Sequence, residues 1–289
     1  MRYDFIRQEK KAYPVTILCK VMEVSRSGFY DYLCAWHHPD PDDEQAALEA
    51  RIRTIFTESK KTYGSRRILW QLKSEGHTIG RYRVRSLMRK LGLKARTPKR
   101  YKVTTDSNHK HPVAPNLLNR QFDVDTPNRV WTTDISYVWT LEGWLYLAVV
   151  MDLFSRQIVG WATDKRMKAQ LVLDALAMAY WRRKPSAGLL HHSDRGSQYA
   201  CEQYQDQLEN YQMIPSMSRK GNCWDNAPTE RFFRSLKSER LAYCRFASRV
   251  AAEMEILEYV TFYNAYRLHS TIGYMSPMEC EKKYLLKAA

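Results

Sequence analysis

Three β-type segments follow one another between residues 129 and 164, and no other feature of the 289-residue chain constrains its fold as strongly. RVWTTDISYVWT (129–140) alternates apolar and polar residues and is rich in β-branched and aromatic side chains, so it predicts a strand. Past a short turn ending at Gly143, WLYLAVVMDLF (144–154) is a near-continuous apolar run, the pattern of a central strand buried on both faces. RQIVGWATD (156–164) predicts a third strand. Periodicity then changes. Helical spacing over 168–183 precedes a short buried strand, GLLHHSD (188–194), and a helix, CEQYQDQLENY (201–211). A short strand follows at MIPSMS (213–218), then helices TERFFRSLKSERL (229–241) and SRVAAEMEILEYVTFYNAYR (248–267). Three consecutive strands followed by alternating helices and strands predict an α/β unit: a mixed sheet with helices on its faces.

That arrangement distributes acids in a telling way. Asp134 lies within the first strand, Asp194 ends the strand GLLHHSD, and Glu230 sits on the helix after it, with thirty-five residues between Asp194 and Glu230. A strand aims its side chain rigidly, and open sheets place ligand sites at strand ends. A helix brings a longer carboxylate across to complete the set. Three such carboxylates suit two Mg²⁺ ions, which take oxygen ligands and keep several waters. A two-metal site performs phosphoryl-transfer chemistry on nucleic acid. Asp134 is the expected bridging ligand. Asp152, in MDLFSR, competes as a fourth ligand, but a turn or cap role explains it better. Asp225, in GNCWDNAP, reads as a loop hydrogen-bonder, and His191 and His192 as strand residues with one of them near the metals. On the Glu230 helix, Arg234 at i+4 and Lys237 at i+7 share the face of the glutamate, as phosphate clamps or as plain solvated cations. Ser218, Arg219, Lys220 and Gly221 form a polar approach to that helix, expected to be flexible and to close over DNA.

The charge lies at the other end of the chain. The net formal charge is +15, and residues 1–120 hold 25 Lys and Arg against 12 Asp and Glu, so this front part is the candidate polyanion binder. PVTILCKVMEV and SRSGFYDYLCAW, with Ser25 as cap, fit a helix-turn-helix or an ordinary helical hairpin. HHPDPDD (37–43) reads as a linker. EQAALEARIRTIFTESK is amphipathic, RRILWQLKSEG ends at Gly76, and RYRVRSLMRKLG closes at Gly92. In this last segment Val84, Leu87, Met88 and Leu91 fall on one face, while Arg81, Arg83, Arg85 and Arg89 spread over the rest. It suits a recognition helix in a major groove, against the alternative of a basic solvated helix. KARTPKRYKVTTDSNHKHP, which includes Lys99 and Arg100, reads as an extended linker tracking a phosphate backbone. The expected division is 1–38 and 45–95 as helix-turn-helix-like segments, 96–117 as basic linker, and 118–284 as catalytic core.

Six cysteines without any C-x-x-C pair argue against a zinc ribbon and against a disulfide framework. The start lacks an apolar signal core, and no run of about 18 apolar residues occurs. A reducing cytoplasm, with the protein on the nucleoid when DNA-bound and no membrane association, is expected.

TYGSRRILWQL, NRVWTTDISYV, LYLAVVMDLFSRQIVGW, HHSDRGSQY, SRKGNCWDNAPTERFFRSLKSE and YNAYRLHSTIGYMSP span roughly residues 62–280 in this order. In these six blocks the chain resembles the second-frame (OrfB-type) protein of bacterial insertion sequences, in the D,D-35-E transposase group related to retroviral integrases. The resemblance implies an RNase H-like mixed-sheet catalytic domain preceded by an all-α helix-turn-helix-type DNA-binding region. It implies that Asp134, Asp194 and Glu230 are the catalytic triad, holding two Mg²⁺ ions for which Mn²⁺ can substitute, and that Lys237 touches the DNA end. The implied reaction is hydrolytic nicking at the element's ends, then attack of the freed 3′ hydroxyl on another phosphodiester, with no covalent protein–DNA intermediate. The implied partners are double-stranded DNA (terminal repeats and target), further copies of the chain on that DNA, and a first-frame (OrfA-type) protein supplying a leucine zipper, because no sustained heptad appears here. The chain also lacks the amino-terminal His-His-Cys-Cys zinc unit of integrases. Two other readings stay open: a DNA-binding modulator of transposition acting with the fused first-frame protein, and a structure-directed RNase H-fold nuclease.

Overall fold

The computed structural model describes residues 2–37, 41–96 and 112–288. The chain divides into two compact units, Met1–Ala95 and Arg96–Ala289.

The first unit is helical. It opens with α1 (Arg2–Glu9), α2 (Val15–Val21) and α3 (Arg26–His37) around a small core of Ile6, Leu18, Cys19 and Phe29. Ser25 caps α3, its Oγ accepting from Gly28 N at 3.0 Å. The segment is therefore a three-helix cluster rather than the expected pair. Only Ile6 of α1 is buried, which hides that helix from a periodicity search. Pro41 opens α4 (Pro41–Glu58), inside the stretch expected as a linker; proline is tolerated in a first turn, where its missing N–H has no partner to lose. α5 (Ser65–Ser74) and α6 (Arg81–Lys90) follow. Both end in the same way. Gly76 (φ 90°) and Gly92 (φ 66°) adopt the left-handed conformation, and paired hydrogen bonds run back from His77 to Leu72 and from Leu93 to Met88. Ile52, Ile68, Leu72, Val84, Leu87 and Met88 are buried among these helices. Arg51 grips Glu75 through two hydrogen bonds, and Lys90 reaches Glu49 at 2.8 Å.

The second unit is the mixed sheet. β1 (Val130–Thr140), β2 (Gly143–Asp152) and β3 (Ile158–Asp164) form an antiparallel meander. β4 (Leu190–Ser193) runs parallel to β1, and β5 (Ile214–Met217) parallel to β4, giving the order β3-β2-β1-β4-β5. This is the RNase H-like mixed-sheet arrangement. β2 is apolar from Leu145 to Met151 because both of its faces are covered there. Leu145, Leu147, Val149 and Met151 pack toward α10 (Ala227–Glu239) and α11 (Arg249–Ala265). Ala148 and Val150 pack toward α7 (Ala169–Arg183) and toward the residues of α8 (Ser197–Ala200) and α9 (Glu202–Asn210). α7 lies so close to β3 that a Cβ at Gly160 would sit 2.2 Å from the Ala175 carbonyl oxygen, so only glycine fits there. α12 (Pro277–Ala288) closes the chain.

Candidate active site

Alternation along β1 sends Thr132, Asp134 and Val138 to the face covered by α10 and α11, with Asp134 opposite Val149 in the centre of the sheet. Asp194 immediately follows β4, the strand parallel to β1. Its Oδ1 accepts from Gly196 N at 2.8 Å, which turns the chain into α8. Glu230 lies in the first turn of α10, where the helix dipole favours a negative charge.

The start of α10 is fastened to β1 on both sides of this arrangement. Asn226 Nδ2 donates to the Thr133 carbonyl at 2.9 Å, and the Thr229 and Thr132 hydroxyls meet at 2.6 Å. Thr132 and Thr133 directly precede Asp134, and Thr229 directly precedes Glu230. Two buried polar ties thus bring acids ninety-six positions apart into one neighbourhood. Neither tie was legible in the sequence: each is a single polar contact between residues more than ninety positions apart.

Electrostatics record the convergence. Burial pushes the Asp134 carboxyl well up from its ordinary value, and the charge of Asp194, then that of Glu230, push it further. Glu230 is raised by burial and then by Asp194. The buried Tyr199 phenol is raised by burial first, with Asp194 and Asp134 contributing. Asp134 retains some exposed surface, but enough protein surrounds it for burial to dominate. Three carboxylates from β1, the end of β4 and α10 therefore repel one another. They are not drawn into a common sphere: among the described residues, no group of three or more His, Cys, Asp or Glu side chains is gathered to hold a metal ion.

Lys237 joins the site from α10. Its ammonium lies 5.1 Å from the centre of the Tyr137 ring, and burial lowers its pKa to about 8 against the opposing pull of Asp134. Arg234, one turn earlier, is exposed.

Several sequence candidates have structural duties instead. Asp152 caps a turn: Oδ2 accepts from Asn128 N at 2.6 Å and Oδ1 from Phe154 N at 2.9 Å, and burial raises its pKa to about 6. His191 is buried against the Tyr204 hydroxyl at 2.8 Å. His192 spends both ring nitrogens on Ser216 and Ser218, at 2.9 and 3.1 Å. Burial holds both imidazoles far toward the neutral form, at about 3 and about 4. The expectation that one histidine attends the metals is therefore replaced by a packing role for each.

The approach to α10 is also corrected. Ser218 is buried, and Arg219 grips Asp225 through its backbone N and two guanidinium nitrogens. Asp225 is fully buried and also accepts from Arg120 Nε at 2.8 Å and Asn116 Nδ2 at 2.9 Å. Its carboxyl is held far below the usual range, chiefly by Arg219. This hub fixes the segment before α10 where a flexible loop was expected.

On the helical unit, Arg81, Arg83, Arg85 and Arg89 are all exposed, opposite buried Val84, Leu87 and Met88. Lys99 and Arg100 lie outside the described residues. No helix among the described residues is long and apolar enough to cross a membrane.

Comparison with known proteins identifies the family. Two family models described as "Integrase core domain" match residues 124–223 and 211–277, and one described as "HTH-like domain" matches residues 42–101. The chain is 44% identical over 276 residues to the "Insertion element IS600 uncharacterized 31 kDa protein" of Shigella sonnei, covering 94% of this chain and all of that one. It is 38% identical over 288 residues to "Transposase InsF for insertion sequence IS3A" of Escherichia coli (strain K12), covering 99% of this chain and all of that one. The chain belongs to the IS3-type family of insertion-sequence transposases. For this transposase family member the solved structures are distant. A simian T-cell lymphotropic virus intasome in complex with PP2A regulatory subunit B56 gamma gives a TM-score of 0.48 at 14% identity, covering 80% of this chain and 74% of that one. The HTLV-2 integrase catalytic core domain in complex with magnesium (dimeric form) gives 0.43 at 16%, covering 54% and 97%. Likeness at that level carries no weight for the chemistry.

Proposed function

We propose that this chain cuts and joins DNA strands at the ends of its element, with Asp134, Asp194 and Glu230 as the catalytic acids. The reading rests on one observation above the others: β1, the end of β4 and the first turn of α10 each carry an acid, and the Asn226 and Thr229 ties fasten α10 to β1 beside Asp134, in a member of the transposase family. Carboxylate oxygens are the donors Mg²⁺ prefers, and positive charge relieves their repulsion, so the donor set fits two such ions, or Mn²⁺ in their place. Bound there, the cations supply activation of the attacking oxygen and stabilisation of the leaving one. The protein's own share is positional. β1 holds Asp134 in a rigid frame, the turn at Gly196 aims Asp194, and the ties at Asn226 and Thr229 deliver Glu230. The Lys237 ammonium holds a DNA phosphate beside the acids, and exposed Arg234 continues the path along α10. Water attacks first, and the freed 3′ hydroxyl then attacks a second phosphodiester.

Recognition of the ends belongs to the front of the chain. Its helical segments, 1–38 and 45–95, bind DNA, the basic stretch 96–117 follows the backbone, and 118–284 carries out the chemistry. Copies of the chain assemble on the ends, with a first-frame protein adding the dimerising zipper. Changing Arg81 and Arg85 to alanine is expected to weaken binding to end DNA and lower the salt slope by about one unit per lost phosphate contact, read from affinity against salt concentration. An unchanged slope would remove α6 from the interface.

A further inference from the structure

The outer half of the β1–β2 hairpin carries an aromatic strip that packs on the core only at its inner end, through Tyr146. Tyr137 pairs with Tyr146 and Trp139 with Trp144 in the strand register, so all four side chains share one face. They meet edge to face in sequence. Tyr146 and Tyr137 stand 6.5 Å apart, Tyr137 and Trp144 5.0 Å, and Trp144 and Trp139 4.8 Å. The inner end is half-buried, whereas Trp144 and Trp139 are 43% and 57% exposed. Two large indoles left in water at a strand end are costly unless something covers them.

Lys237 links the strip to the active site. Its Nζ stands over the Tyr137 ring and its charge also acts on Asp134, although Tyr137 and Asp134, three positions apart on β1, face opposite sides of the sheet. Cations also lie beside the strip. Asp164 is the register partner of Tyr146, and the exposed Lys165, Arg166 and Lys168 follow it directly. Gln198 Nε2 donates to the Met167 carbonyl at 3.1 Å, linking this basic turn to the loop that begins at Asp194. The hairpin tip is held firmly. Arg249 donates through its guanidinium to the carbonyls of Glu142 and Trp144, and Leu141 N reaches the Phe246 carbonyl at 3.0 Å.

We propose that the strip Tyr137–Trp144–Trp139 is a stacking platform for unpaired bases of the DNA strand whose phosphodiester lies at the acids, with the Lys165–Lys168 turn following its phosphates. Successive aromatic faces beside a basic track are the physical requirement for single-strand binding, because every base offers a π-face and every nucleotide a charge. The platform rests on the strand-cutting reading: it holds the terminal bases once they leave the duplex, next to the site of attack.

The test uses the full chain, with a short thymidine oligonucleotide as probe and Trp139→Ala with Trp144→Ala as the variant. Both residues are exposed, and the thermal midpoint checks that the fold is kept. Stacking worth about 1–3 kcal/mol per base implies affinity weakened about tenfold to a hundredfold, with Trp139→Phe and Trp144→Phe retaining most of it. Cleavage of a fully paired end is expected to fall further than cleavage of an end whose terminal pairs are mismatched. Wild-type oligonucleotide affinity in the alanine variant would overturn the platform. So would a variant that loses only self-association, which would make the strip a contact between copies. Because oligonucleotide binding needs no chemistry, a wild-type chain that binds but never cuts would sink the strand-cutting reading and leave the platform standing.

Discussion

Asp194→Asn is expected to lower strand cleavage by about a thousandfold or more while leaving affinity for end DNA nearly unchanged. The amide is close in shape to the acid, and its oxygen still accepts from Gly196 N, so the turn into α8 survives. The negative charge is lost, and with it the capacity to hold a cation whose electrostatic help is worth several kcal/mol. Its removal also takes away a repulsion that raises Asp134 and Glu230, and an unchanged or higher thermal midpoint is expected to show that the fold is kept. Lost activity in this variant would therefore not reflect lost structure. Cleavage assays beside binding measurements on the same labelled end decide the matter, and an equal loss of both would show Asp194 to be a DNA-contact or folding residue.

The largest effect on stability is expected at the far end of the helix that carries Glu230. Glu239 is buried in the last turn of α10 and receives Arg267 through Nε at 2.9 Å and Nη2 at 2.6 Å, with the Tyr259 hydroxyl at 2.8 Å. Arg267 is buried as well and also donates to Ser235. Arg96 donates to the Glu239 carbonyl at 2.9 Å, where cations suit a helix C-terminus. Glu239→Ala leaves the Arg267 guanidinium buried without its counter-charge, which costs about 3–5 kcal/mol. For a chain of this size each kcal/mol is worth about 2–4 °C, so the thermal midpoint should drop by roughly 10 °C. Glu239→Gln, which keeps part of the hydrogen bonding, should lose less. A midpoint unchanged by the alanine substitution would mean that the pair does not hold α10 in place.

The sheet was legible because its burial is written in period and composition. β1 alternates since one face meets α10 and α11 and the other meets α7 and α9, and β2 is apolar from Leu145 to Met151 since both its faces are covered there. α6 was legible from one stripe, Val84–Leu87–Met88, and its end from Gly92. Elements that bury little escaped notice. α1 hides one residue, and α12 is rich in charged residues. Within the site, the positions of the acids along strand and helix could be read in order, but the ties that bring them together could not. Asn226 to Thr133 and Thr229 to Thr132 each cross more than ninety residues, and single polar contacts over that separation leave no periodic trace. The Asp225 hub escaped for the same reason, since Asn116 and Arg120 reach it from more than a hundred residues away. Its polar, glycine-containing segment looked flexible, and it is the ion pairs of buried Asp225 with half-exposed Arg219 and Arg120 that hold it.

Thermal unfolding with and without Mg²⁺, compared between the native chain and one carrying Asp134→Asn, Asp194→Asn and Glu230→Gln together, tests the shared cation site most directly. Asp134 and Glu230 bind protons more tightly folded than unfolded, so their repulsion erodes stability as pH rises through their raised values. Mg²⁺ competes with those protons and should stabilise the native chain by about 1–3 kcal/mol at an excess of ten- to a hundredfold over its dissociation constant, more at mildly alkaline than at mildly acidic pH. The triple amide chain should gain nothing from Mg²⁺ and be the more stable of the two without it. A native chain whose midpoint ignores Mg²⁺ and Mn²⁺ across that range, or an amide chain stabilised equally, would contradict the account.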